Sequence, residues 1–145
     1  MKRYNLTALL FVLSAGVAVA HSGVQNAAVK ARMDAMSSIG AEMKTLGLMA
    51  KGTTKFDMNA ARVAAATIET HAAATPALFA AQEDDPKSEA KAAIWTNFDD
   101  FAAKAKDLET VALQLSKSIA GQNDLGPAMA SLGATCKSCH SAYRE

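Results

Sequence analysis

Cys136-Lys137-Ser138-Cys139-His140 closes the last apolar stripe of the chain, five residues before its end. Leading into it, Leu125, Met129 and Leu132 precede Cys136, Cys139 and Tyr143 in steps of three and four, which is the spacing of one helix face. Cys-x-x-Cys-His is the attachment pattern of c-type haem. On a helix, cysteines three apart can each form a thioether to one vinyl group on a porphyrin edge. The histidine that follows can reach the iron from the same side as its proximal ligand. Because the cysteines continue an apolar seam, the haem belongs inside a helical assembly rather than on its surface. Other uses of the motif fit less well. A redox dithiol would sit in a βαβ pattern, and strand signals are nearly absent. Structural zinc takes four ligands, whereas the motif offers three, and His21 and His71 are distant in sequence. A disulfide of this short span fits poorly within a helix.

The chain upstream supplies three more helices. The first is expected from Val24 to Ala50, with Ala28, Ala31, Ala35, Ile39, Met43, Leu46 and Ala50 on one stripe and Gly52 as its stop. The second follows Asp57 as N-cap, carries Met58, Ala61, Ala65, Ile68 and Ala72, and is expected to end before Pro76. His71 lies one step from that stripe and reads as a half-exposed histidine near a helix end. The third is expected to begin at Asp85-Pro86, an aspartate cap followed by a proline at the first helical position. It runs through Ile94, Phe98, Phe101, Ala105, Leu108, Ala112, Leu115 and Ile119 to Gly121. Its steps alternate four and three, the seam of a left-handed bundle. The fourth is expected from Asn123 or Asp124, with Pro127 in its first turn. The fold expected is all-α, an antiparallel four-helix bundle with haem attached to the last helix.

The other end of the chain agrees with the motif. Lys2 and Arg3, the apolar run Leu6 to Leu13 and Ala18-Val19-Ala20 read as a signal peptide over residues 1–20, cleaved after Ala20. Residues 21–145 are then one exported domain, periplasmic in placement, and the apolar run is too short for a membrane span. Two cysteines in an oxidising compartment would ordinarily pair, but both are claimed by the haem motif. With 15 basic and 14 acidic residues the net charge is +1, which leaves no electrostatic footprint for nucleic acid.

The C-terminal Cys-Lys-Ser-Cys-His-Ser-Ala-Tyr-Arg on the last of four helices resembles the cytochrome c-prime family, or class II cytochromes c. Ala28-Val29-Lys30-Ala31-Arg32 followed by Met36 is similar to that family's first helix. Ala50-Lys51-Gly52 with Lys55-Phe56-Asp57 resembles its first turn, and Ile94-Trp95 the start of its third helix. The resemblance implies one covalent haem c on Cys136 and Cys139 with His140 as proximal ligand. It places Arg32 beside a haem propionate, which would explain a charge on the face that holds Met36 and Ile39. It places Arg144 on the proximal side of the iron. Met36 falls where high-spin members carry an apolar residue over the iron and low-spin members, the c-556 type, carry a ligating methionine. A thioether is a suitable distal ligand, and His/Met ligation favours electron transfer. The function expected is therefore electron transfer to and from a redox partner protein, with His140 and Met36 as iron ligands. The alternative is a five-coordinate protein that binds NO or CO with Met36 packed over the iron. An enzyme is not expected, because the first helix near Met36 offers no acid–base group. Relatives commonly dimerise, and the Met- and Ala-rich first helix is a candidate pairing face for a second copy.

Overall fold

Asn26 sets where the first helix begins. Its backbone is extended, and its side-chain oxygen accepts from the amides of Ala28 at 2.9 Å and Val29 at 3.1 Å, satisfying two donors that a helix start leaves unpaired. Helix α1 therefore spans Ala27–Ala50, three residues later than the expected start. The computed structural model describes residues 23–145; the signal peptide read over residues 1–20, and His21, lie outside the described residues. At its other end α1 stops as the glycine foretold. Gly52 takes φ 68°, and the amides of Gly52 and Thr53 bond back to the carbonyls of Met49 and Leu48, the paired bonds of a Schellman ending.

Helix α2, Met58–Leu78, is capped by Asp57, which accepts from the Ala60 amide at 2.9 Å. It was expected to stop before Pro76 but runs two residues past it. A proline this close to the end costs only one amide donor, in a turn whose carbonyls are leaving the helix ladder anyway. The Thr75 hydroxyl also donates to the His71 carbonyl at 2.8 Å.

The third expected helix differs most. Asp85 does not cap it. The Asp85 carboxylate, 6 % exposed, turns instead to the start of α1 and accepts from the amides of Gln25 at 2.7 Å and Asn26 at 3.0 Å. Its second oxygen accepts from the Lys87 amide at 2.9 Å. With its cap spent elsewhere, the chain from 86 to 92 forms a strap. Helix begins only at Ala93, as the single turn α3, Ala93–Thr96, and after a break at Asn97 continues as α4, Phe98–Ser118. A 3-10 turn at Gln122–Asp124 leads into α5, Leu125–Tyr143, in which Pro127 lies in the first turn as expected.

Helices α1, α2, α4 and α5 are joined by short connections or by the strap. α1 packs on α2 and α5, and α4 packs on α2 and α5, so sequential neighbours are antiparallel and the four close a square bundle. The apolar seam of α4 faces inward as its period required, with Phe101, Ala105 and Ala112 buried. The core lies in two parts. One gathers Leu46, Ile68, Ile119, Leu125 and Leu132, all fully buried, each contributing about 1.5–3 kcal/mol by burial. The other, at the opposite end, gathers Phe79, Ile94, Phe101 and Tyr143.

Asp85 makes a testable contribution to this fold. Its bonds from the amides of Asn26 and Lys87 hold its carboxyl below the ordinary value. A depressed folded value gives stability that is present above the ordinary carboxylate range and lost as pH falls through the folded value. Asp85→Asn is expected to lower the thermal midpoint at neutral pH, because an amide cannot accept from three backbone donors with both of its heavy atoms. The gap from the unsubstituted protein should close below pH 4. Melts followed by circular dichroism across that range check it.

Candidate haem site

Between the two parts of the core the helices turn small residues inward: Gly40 on α1, Ala72 on α2 and Ala105 on α4 all line a cavity of about 490 Å³. This is within the usual range for a cofactor pocket. The α1–α5 seam shows how it opens. A side-chain carbon added at Gly47 would meet the Met129 methyl at 3.6 Å, whereas one added at Gly40, on the cavity wall, would meet nothing within 4 Å. The two helices touch near Gly47 and leave room near Gly40.

Every site residue expected from sequence lines this one cavity. Cys136, Cys139 and His140 come from α5, and Arg32 and Met36 from α1. His71 is half-buried on α2 and is not part of the wall. The α1 wall also carries Met33 and Met43, so three thioethers face the site. These inward methionines give no support to the expectation of a methionine-rich pairing face on this helix. Sequence reading singled out Met36 alone, although Met43 stood in the apolar stripe and Met33 lies one turn before Met36.

The chemistry of the wall suits a covalent haem. Both cysteines are free and half-buried, and burial pushes both thiols above their ordinary value; a protonated thiol adds across a vinyl group. His140 lies at the mouth, where partial burial and then the Arg144 charge hold its imidazole below the usual value. It is therefore neutral near pH 7, the form that ligates iron. Among the described residues no three His, Cys, Asp or Glu side chains converge to hold a metal ion.

The strap closes the cavity beside α5. Ala90 pairs with Arg144 as an isolated antiparallel bridge, with the Lys91 amide on the Tyr143 carbonyl at 3.0 Å and the Glu145 amide on the Glu89 carbonyl at 2.9 Å. The Arg144 guanidinium pairs with the Glu89 carboxylate at 2.5 Å. Tyr143, one turn after His140, donates to Asp100 at 2.6 Å. That bond, with burial, pushes its phenol up to about 12. Tyr143 meets Phe101 edge-on at 5.5 Å, and Phe101 meets Phe79 at 5.0 Å. Phe101 and Tyr143, which the sequence sets on inward stripes, form cavity wall together with Phe79.

Comparison with known proteins agrees with this geometry. The family profile described as Cytochrome C' matches residues 27–144. A cytochrome c-556 of Agrobacterium fabrum is 39% identical over 147 residues, covering 99% of this chain and 97% of the relative. A cytochrome c' of Cereibacter sphaeroides is 36% identical over 149 residues, covering 99% and 98%. The solved structure of a cytochrome c' from Rhodobacter spheriodes superposes with a TM-score of 0.72 at 34% identity, covering 81% of this chain and 94% of the other. The protein is a c-type haem cytochrome with the four-helix-bundle fold. It belongs to the cytochrome c' family, with one covalently attached haem c, and is a haem carrier rather than an enzyme. No helix among the described residues is long and apolar enough to cross a membrane.

Proposed function

We propose that this cytochrome is a periplasmic electron carrier whose haem is held by Cys136 and Cys139, with His140 as proximal and Met36 as distal iron ligand. The observation that carries the reading is the meeting of Cys136, Cys139, His140 and Met36 on one cavity. Residues more than ninety apart in sequence supply both axial donors. Bound haem c supplies a one-electron ferric/ferrous couple. The chain's own part is to fix that group by two thioethers, to offer a neutral imidazole from α5 and a soft thioether from α1, and to exclude water with an apolar wall. His/Met ligation raises the potential and suits electron transfer. Arg32 has two guanidinium N–H groups beyond the three whose bonds are described below, and these would hold a propionate. Export follows the leader at residues 1–20, and the partner is a redox protein that docks where His140 and Arg144 reach the surface.

A second reading has its own observation. Gly40, one turn beyond Met36, leaves open space in the wall, room for a diatomic ligand such as NO or CO at a five-coordinate iron with Met36 packed over it. Optical spectra of the oxidised protein separate the two. Iron–methionine bonding adds a weak charge-transfer band in the far red, and that band is expected here. A high-spin spectrum without it would overturn Met36 ligation.

A further inference from the structure

Arg32 is a cation that the fold has buried on purpose. It is 3 % exposed and lies in the cavity wall. Its Nε donates to the Leu78 carbonyl at 2.9 Å, Nη1 to that of Glu83 at 2.9 Å and Nη2 to that of Ala81 at 2.7 Å. The guanidinium also lies 4.7 Å from the Phe79 ring centre and 5.4 Å from that of Trp95, within cation–π range of both. Trp95 is fixed in turn by its indole N–H on the Phe79 carbonyl at 2.8 Å. The end of α2 and the turn after it are thus wrapped around one side chain of α1.

All of these partners are neutral. The other charges of the wall have acidic or basic company: Glu89 pairs with Arg144, and Lys104 with Asp100 at 3.4 Å, while Lys87 interacts with Asp85. The Glu83 carboxylate, unlike its carbonyl, acts on Arg32 only through its field and accepts from the Asn26 side-chain amide at 2.9 Å. Among the described residues Arg32 is the one buried cation, and its three hydrogen bonds named above all go to main-chain carbonyls, none to a carboxylate. Burial lowers its pKa, but an arginine stays charged throughout the working range.

We propose that Arg32 sets the reduction potential of the haem: the carbonyl cage and the two rings hold a fixed positive charge on the cavity wall, where it favours ferrous over ferric iron. Ferric haem carries one more positive charge than ferrous, so a nearby cation penalises the oxidised form. A propionate bound to Arg32 leaves the sign unchanged, since removing the cation then exposes an unneutralised anion. The inference rests on the haem in the cavity and not on ligation by Met36.

The test is the midpoint potential of the holoprotein in Arg32→Gln and Arg32→Lys, with the near-UV circular dichroism of Trp95, the only tryptophan of the chain, as a reporter of the cage. Arg32→Gln is expected to shift the ferric/ferrous equilibrium toward ferric on the order of tenfold, which for one electron is a fall of about 59 mV. Arg32→Lys keeps the charge but cannot fill three carbonyls, so it should perturb the Trp95 signal and keep most of the potential. An unchanged potential in Arg32→Gln, or an equal fall in both variants, overturns the proposal. If Arg32→Gln does not accumulate as holoprotein, Arg32→Lys decides: a retained potential with an altered Trp95 signal supports a role for charge, and a fallen one refutes it. Retention of the far-red band in both variants separates this result from any failure of Met36 ligation.

Discussion

Replacing Cys136 and Cys139 together by alanine is expected to make the haem extractable and to leave an apoprotein whose melting midpoint is roughly 20 °C lower. The first half follows from the attachment chemistry: without the thiols no covalent bond forms, and acid–acetone extraction should move the colour into the organic phase. From the unsubstituted protein the colour should not move. The second half follows from packing. The two parts of the core are separated by a cavity of about 490 Å³, and an empty cavity costs about 24 cal/mol per Å³, which gives an upper bound of roughly 12 kcal/mol. Water entering at the mouth reduces this. Even so, a remaining cost of about 5 kcal/mol would be a large share of the ordinary 5–15 kcal/mol of a domain and would lower the melting midpoint by roughly 20 °C. Far-UV circular dichroism of the haem-free double variant checks it. A sharp transition within a few degrees of the holoprotein would show that the bundle closes without its cofactor.

Much of this was legible in the sequence, and the reason is periodicity. A helix face repeats every three to four residues, so the seam from Phe98 to Ile119 and the stripe from Leu125 to Tyr143 announced which sides are inward. The motif on the latter then fixed what the inward side must hold. Gly52, Asp57 and Pro127 marked helix ends because their conformational demands are local. What was not legible depends on contacts between distant segments. Asp85-Pro86 has the form of a helix start, but the Asp85 carboxylate is drawn to the amides of Gln25 and Asn26, sixty residues away, and no local pattern encodes that competition. Pro76 reads as a barrier because its steric rule is local, while its placement in the last turn removes most of the cost. Arg32 was recognised as an odd charge on an inward face. Its partners are three main-chain carbonyls, which any sequence would provide, so nothing in residues 78–83 identified them. Met43 was hidden because methionine on an apolar stripe reads as core filling, and Met33 because it lies off that stripe; the cavity makes both part of a wall.

Met36→Leu is expected to convert the protein from a six-coordinate to a five-coordinate cytochrome. Leucine has nearly the volume and hydrophobicity of methionine, so the packing cost is below about 1.5 kcal/mol and the fold should persist. What leucine lacks is the sulfur lone pair. If Met36 ligates, its loss should abolish the far-red band, turn the ferric spectrum high-spin, lower the potential because a thioether favours ferrous iron, and open the distal position to CO in the reduced protein. The neighbouring methionines supply the control. At 1.5 Å of rise per residue, Met33 lies about 4.5 Å and Met43 about 10.5 Å along α1 from Met36, so one iron atom cannot be served equally by all three. Met33→Leu and Met43→Leu should leave the band in place. If Met43→Leu removes it and Met36→Leu does not, the distal ligand is Met43 and the register read from the first helix is two turns off. If no methionine variant changes a spectrum that is high-spin from the outset, the iron is five-coordinate, and the space beside Gly40 becomes the binding site of a small diatomic ligand.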